Sequence, residues 1–565
     1  MGGPPSRSLT ITDDPDIIIV GAGSAGCVLA NRRSADPGTK VLLIEAGPKD
    51  GAISLRAPAA MVSNLTGTRY NWAFAGAPEP GLDGRSFQHD RGKVLGGSSS
   101  INGMCWIRGH ARDYDGWRQR GCDGWGWSDV LPYFRRIETY DAGADDLRGG
   151  DGPIKVTRPA ADNPLAQAFL EAGRQAGYPT TKDINGQVQE GFGVFDRSTH
   201  KGQRWSTARG YLDPARARPN LAVRTDLQVR RITLKEGRAT GVIALDSSGL
   251  EHEMNAAKEV ILCAGAVGTP HLMMLSGLGP AEHLKAHGIS VVADLRGVGQ
   301  NLNDHPDYVL KWRCLKPVTM WPQTRAMTKL LTGLKWLGTG TGPAASNHFD
   351  TVATVRSRPG IEYPDLQFTL APIAMQGTSW TPVVGHAFQI HVGLMRAQGR
   401  GEITLGSADP LQPPRIQANY LTEPADLAAM VEGVRLVREI AAQPAFDTLR
   451  GEEIEPGPAV ENDEQVAERL RAMTVSQWHL SCTARMGAAT DPEAVVDTQG
   501  RVHGVPGLRV VDASIMPEVV NANTNATTIM MAEKISDAIL DRPPLPPAGP
   551  EAEVALNPRW ATHQR

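Results

Sequence analysis

Aromatic residues make up only 5% of this chain, and charge imbalance, cysteine pairs and long apolar runs are equally scarce. Each shortage excludes something. Against 61 acidic residues stand 58 basic ones, for a net charge of -3, and no long block of like charge interrupts the mixture. Nucleic acid is therefore not an expected partner. The cysteines at 27, 105, 122, 263, 314 and 482 include no C-x-x-C pair and are too sparse for a disulfide scaffold. Free buried thiols in a reducing compartment are the expectation, and no metal site is expected. No uninterrupted apolar stretch has the length of a bilayer span. The opening M-G-G-P-P-S-R-S-L-T lacks the apolar run of a secretory signal, and its two prolines argue against the myristoylation pattern it nominally fits. A cytoplasmic location is expected, with membrane association and a homo-oligomeric state left open.

At 565 residues the chain is long enough for two or more lobes. Residues 16–20, D-I-I-I-V, are short, apolar and β-branched, as in a strand buried on both faces. A small-residue turn, G-A-G-S-A-G at 21–26, follows directly, then an apolar-periodic helix from Cys27 to Arg33 and a second buried strand at 40–45. This is a βαβ unit. A buried strand recurs at 259–266 and again at 508–512, with a last helix over roughly 527–540. Between 304 and about 473 the pattern changes to isolated helices and alternating strands such as F-Q-I-H-V-G-L at 388–394, which reads as an inserted lobe. Past Arg542, P-P-L-P-P-A-G-P marks a tail that need not fold.

Gly21, Gly23 and Gly26 form G-x-G-x-x-G between a predicted strand and a predicted helix, with Ser24 and Ala25 completing the turn. Glycine there permits a tight turn, close approach of backbone to pyrophosphate, and close packing of helix on strand. The helix N-terminus then offers free N–H groups to phosphate. Glu45, followed by Ala46, ends the next strand about 20 residues on, where a carboxylate can take ribose hydroxyls. Strand, spacing, helix and acid agree on a dinucleotide. The acid disfavours NADP but does not separate NAD from FAD.

Further blocks are similar to the signatures of the glucose-methanol-choline (GMC) oxidoreductase family. These are G-K-V-L-G-G-S-S-S-I-N-G-M at 92–104 and G-A-V-G-T-P-H-L-M-M-L-S-G-L-G at 265–279. Toward the C-terminus come W-H-L-S-C-T-A-R-M-G at 478–487, V-D-A-S-I-M-P at 511–517 and N-A-N-T-N-A-T at 521–527. R-G-H-A-R-D-Y-D-G-W at 108–117 and N-L-N-D-H at 301–305 resemble the choline-dehydrogenase-like branch, which includes aliphatic alcohol dehydrogenases. The resemblance implies an α/β fold, α+β overall: a Rossmann-like FAD-binding domain with an inserted substrate-binding domain on an antiparallel sheet. The expected FAD-binding domain comprises 14–158, 203–306 and 473–542, and the substrate-binding domain 159–202 and 307–472. Residues 1–13 and 543–565 are expected to be flexible tails.

The same resemblance makes the cofactor FAD and places Val94, Gly97, Ser98, Asn102 and Gly103 along the flavin and its ribityl–pyrophosphate chain. Val229 would pack near the adenine, Ala264 and Gly265 near ribose or phosphates, and Asp512 and Ala513 at the ribityl–pyrophosphate region. Ile101 stands where covalently flavinylated members carry histidine, so non-covalent FAD is expected. His89, nearby, reads as a polar loop residue.

The resemblance also carries the role of catalytic base to His479, for hydride transfer from a primary alcohol to flavin N5; an imidazole suits that work at neutral pH. Asn525 matches the family's second catalytic position, with Asn523 capping the last helix or touching the flavin. Both asparagines equally suit helix capping. Choline would call for an aromatic cage and a carboxylate. No such set is legible, so a neutral alcohol is preferred, with Trp321, Met375, Trp380 and His391 as unranked pocket candidates. Electrons would pass to a quinone-like acceptor or to oxygen. An oxygen-using oxidase of the aryl-alcohol, hydroxymethylfurfural or choline type, and a flavin-containing lyase of the same fold, are the alternatives.

Overall fold

The computed structural model describes residues 15–565; the stretch 1–13, expected to be loose, lies outside them. Five helices bear on the site: α1 (Ser24–Arg33), α2 (Gly265–Leu275), α3 (Ala326–Thr339), α4 (Pro424–Ala441) and α5 (Asn525–Ile539).

The β-branched run Ile17–Val20 is the centre of a five-stranded parallel sheet, in the order Leu221–Arg224, Val41–Ile44, Ile17–Val20, Glu259–Leu262, Leu508–Val510. All four residues of the central strand are buried, as a strand covered on both faces requires. Helix α1 leaves this strand through the glycine turn and packs against α5. Buried Glu533 and Asp537 of α5 tie down Arg32 and Arg136; Arg136 lies 2.7 Å from each carboxylate. The last helix of the chain is thereby locked to the first.

A seven-stranded antiparallel sheet forms the second lobe, with Pro306–Cys314, Ala387–Leu394, Leu366–Ala371 and Thr351–Val355 as successive neighbours. Gly191–Val194 joins at one edge, and Arg450–Glu455 with Val475–Ser476 at the other. Side chains alternate across it as the period of two demands. Tyr308, Leu310, Phe368, Ile390 and Val392 enter the core, where α4 covers them, while Asp307, Lys311, Thr369 and His391 face a large cavity.

The C-terminal segment corrects one expectation. It is docked: Leu545 N–H donates to the Tyr133 hydroxyl, the Trp127 indole donates to Ala552 O at 2.9 Å, and Ala555 N–H donates to Gln187 O at 2.7 Å. A proline-rich composition cannot build a core of its own, but an extended strap needs only a surface offering partners for its backbone. His89 is a second correction. It is 1% exposed and packed against Phe87, and burial pushes its pKa down to about 3.

Candidate active site

Glycine turns line one end of a cavity of about 1890 Å³ between the two sheets, more than one small ligand fills. Gly21 has φ +97°, and a Cβ there would meet Cys263 O at 2.5 Å. A Cβ on Gly26 would sit 1.9 Å from Gly21 O, so any other residue would push α1 off the strand. Gly97, φ +53°, comes so near Gly23 that a Cβ would lie 2.6 Å from its Cα. The two turns thus abut and leave backbone, not side chains, on the cavity wall. The N-cap of α1, Gly23, has no side-chain cap.

Glu45 is buried beneath this cradle, with Oε2 accepting from Ala22 N–H and Oε1 from Gly47 N–H, both at 2.9 Å. Desolvation raises its pKa to about 7 despite those bonds. Asp512 accepts from Gly265 N–H at 2.8 Å, the Thr269 hydroxyl at 2.6 Å and Ser514 N–H at 2.8 Å; burial raises its pKa as well. Ser24, Ala25, Ala46, Ser98, Asn102 and Gly103 line the same wall, as do Val229, Ala264 and Ala513. Gly26 and Val94 stand behind it. Val94 packs with Leu55, Leu65 and Ile101 rather than along the cavity.

His479 reaches the cavity from the loop after Val475–Ser476. The preceding residue, Trp478, holds φ +61°, a left-handed conformation costly for a bulky side chain. Arg91 holds that peptide by donating to Trp478 O through both terminal nitrogens, one at 2.6 Å. Asp304 Oδ1 accepts from His479 N–H at 2.8 Å, while its Oδ2 accepts from Tyr420 and Ser476 at 2.5 Å. These contacts over-determine the strained turn.

The asparagine beside the imidazole is Asn523, whose Nδ2 lies 3.0 Å from His479 Nε2. Asn525 instead accepts from the Ser24 hydroxyl at 2.7 Å, where α5 meets the glycine turn. This reverses the places expected for the two residues. Both line the cavity two positions apart at the start of α5, and one sequence does not say which of them meets the imidazole. On its other nitrogen His479 meets His305, Nδ1 to Nδ1 at 2.8 Å. With the amide turned so that its N–H₂ faces the ring, Nε2 of His479 accepts and Nδ1 carries the proton that is shared with His305. Burial, then His305 and Arg91, hold the His479 pKa well below its usual value; burial alone dominates for His305, at about 3. Burial thus disfavours the charged ring, and in this orientation the Nε2 lone pair is on the side of Asn523 and the cavity. Asn523 Oδ1 is buried without a hydrogen-bond partner.

Opposite lies the antiparallel sheet. His391 Nδ1 is 2.7 Å from Asp307 Oδ2, Gln389 Nε2 is 2.8 Å from His391 Nε2, and Gln477 donates to Asp307 Oδ1 at 3.1 Å. Trp380 stacks on Trp478 with centroids 5.5 Å apart, and Phe349 stands edge-on to His391. Met375, Trp380 and His391 line the cavity; Trp321 does not. A carboxylate and an aromatic pair are therefore present, assembled from segments far apart in the chain. Sequence reasoning missed His305, Arg91, Asp304 and Asp307. Only the acids' place beside His305 in N-L-N-D-H-P-D offered a signal.

A parallel-sheet dinucleotide lobe facing an antiparallel lobe, with a buried histidine between, defines a flavoprotein-type oxidoreductase. The GMC oxidoreductase profile matches residues 15–307 in its N-terminal part and 397–532 in its C-terminal part. The chain belongs to that family. It is 49% identical over 537 residues to an oxygen-dependent choline dehydrogenase of Ectopseudomonas mendocina, covering 94% of this chain and 95% of that one. It is 46% identical over 540 residues to the mitochondrial choline dehydrogenase of Mus musculus, covering 94% and 90%. Among solved structures, a formate oxidase of Aspergillus oryzae superposes with TM-score 0.87 at 27% identity, covering 94% of this chain and 99% of that one. A pyridoxine 4-oxidase from Mesorbium loti gives 0.85 at 28%, covering 94% and 100%. The protein is an FAD-dependent oxidoreductase acting on CH–OH groups. The abutting glycine turns, the Glu45 carboxylate and the size of the cavity fit that cofactor.

Proposed function

We propose that the protein oxidises a primary alcohol to its aldehyde, with His479 Nε2 taking the hydroxyl proton. The observation that carries this reading is the buried imidazole of His479 at the cavity wall, with Nε2 3.0 Å from the Asn523 amide. When bound, FAD supplies the two-electron acceptor for the hydride, at N5. Asn523 would turn its amide N–H to the substrate oxygen as negative charge builds there. His305, by accepting from Nδ1–H, would hold the imidazole in the tautomer that keeps Nε2 an acceptor, and burial of both rings strengthens that contact. Ile101, buried at the wall, offers no atom for a covalent link, which supports FAD held non-covalently. Electrons then leave to an external acceptor.

A narrower reading takes choline as the alcohol. The Trp380–Trp478 stack and Asp307 in one cavity favour it, since a quaternary ammonium is recognised by aromatic faces and a carboxylate. The relatives named for choline point the same way.

The test is anaerobic mixing of the purified holoenzyme with choline, butanol and benzyl alcohol while the oxidised flavin absorbance is followed. Bleaching is expected, and His479→Ala should slow it by about 10²–10⁴-fold. A flavin that stays oxidised with every alcohol would favour lyase chemistry and sink the reading.

A further inference from the structure

We propose that the outer face of α3 docks on an anionic phospholipid surface. Met327, Leu330, Leu331 and Leu334 are each at least 56% exposed. Their spacing of three and four places them on one side of the helix. The other strongly exposed large apolar residues among those described are scattered along the chain, apart from Leu337 at the end of the same helix. An apolar stripe of this kind on a water-facing helix marks an interaction site.

The opposite side of α3 anchors it. Trp336 is buried there with Ala57 and Ala344, and its indole donates to Gly202 O at 2.6 Å. Lys329, Thr332 and Gly333 line the cavity from the same side. The helix thus lies along the rim of the active-site cavity with Leu330, Leu331 and Leu334 turned outward.

Charge selects the partner. Residues 315–349 contain Lys316, Arg325, Lys329 and Lys335 and not one Asp or Glu, in a chain whose net charge is -3. All four basic residues are exposed. Leucines on one face of a segment without an acid, with Arg325 at its start and Lys335 directly after Leu334, are the pattern of a helix lying in the plane of a lipid interface. At 14 residues α3 is too short to span a bilayer, and among the described residues no helix is long and apolar enough to do so. A second copy of the chain fits less well. A two-fold contact through α3 would set its basic residues against their own copies with no acid to answer them. Four side chains also expose less than the roughly 800 Å² per partner of a stable dimer.

The test is co-sedimentation of the holoenzyme with vesicles of phosphatidylcholine, alone and with about 30 mol% phosphatidylglycerol. Binding to the anionic vesicles is expected, weakened by salt. A variant carrying Leu330→Gln, Leu331→Gln and Leu334→Gln should lose about tenfold or more of it. Those positions do not line the cavity, so the variant should keep its flavin absorbance and its turnover with a water-soluble acceptor, which shows that it folds. Absence of vesicle binding, equal binding to uncharged vesicles, or unchanged binding by the triple variant would each overturn the proposal. So would a dimer in solution that the triple variant splits, because that outcome assigns the face to a second copy.

Discussion

Nδ1 of His305 lies 2.8 Å from Nδ1 of His479, and both rings are buried. Only one of the two nitrogens can carry the shared proton, so the tautomers of the two rings are coupled. Catalysis by His479 requires the neutral ring, and its pKa is held well below 6.5. Protonation, and with it loss of activity, sets in only as pH falls through that depressed value. The acid limb of kcat/KM is expected well below pH 6.5. His305→Ala admits water and removes one of the groups that lowers the pKa, so the limb should move up towards 6.5 while kcat falls about tenfold or more. His305→Asn keeps a carbonyl that can accept from Nδ1–H and should restore part of the rate. Unchanged pH profiles in both variants would reduce His305 to packing.

The two asparagines make a sharper comparison. Asn523→Ala removes the donor beside His479 Nε2 and should cost about 10²–10³-fold in kcat, as loss of an oxyanion donor does. Asn525→Ala removes the acceptor of the Ser24 hydroxyl. Its expected cost is about 1 kcal/mol of stability, seen as a lower Tm and weaker FAD retention, with kcat nearly unchanged. Stopped-flow flavin reduction and thermal melts of the two variants would decide it. The reverse result would return the catalytic role to Asn525.

What could be read in advance follows from how far apart the cooperating residues lie in the chain. The βαβ unit is local: strand, glycine turn and helix are consecutive, and the tight contacts at Gly21 and Gly26 are made within it and with the neighbouring strand end at Cys263. The antiparallel lobe was visible as alternation, because a period of two survives in sequence whatever the strand pairs with. The proton-handling cluster was not, since His305, Asp304 and Arg91 meet His479 across 174, 175 and 387 residues for the contacts made to residues 478 and 479. The docked C-terminal strap illustrates the same limit: its partners, Trp127, Tyr133 and Gln187, are on the body rather than in the segment.

Glu45 gives a prediction about the apoprotein. Its pKa rises from 4.5 to about 7 on burial. Between those values the folded state holds a proton that the unfolded state has released, so stability falls as pH rises through that window. The loss is on the order of 3 kcal/mol at neutral pH. Glu45→Gln cannot ionise and should flatten this part of the Tm-versus-pH curve, measured as the difference from the parent apoprotein. The same variant should bind FAD more weakly, having lost the charged acceptor for ribose hydroxyls. Parallel curves for parent and variant would show that Glu45 does not titrate in this range.

Asp307 decides between a cationic and a neutral alcohol. Its carboxylate already accepts from Gln477 and meets His391 Nδ1, yet it lines the cavity together with the Trp380–Trp478 pair. If that set recognises a quaternary ammonium, Asp307→Asn preserves the shape and the hydrogen bond from Gln477 while deleting the charge. KM for choline should then rise by about tenfold, equivalent to roughly 1.4 kcal/mol, with kcat and the KM for butanol nearly unchanged. Trp380→Leu should likewise weaken choline by about 0.5–2 kcal/mol and spare butanol. Should both variants instead weaken the two alcohols equally, Asp307 and Trp380 shape the wall without reading charge, and the neutral-alcohol reading stands. The ratio of the two KM values separates these outcomes where neither value alone can, because a general disturbance of the fold moves both.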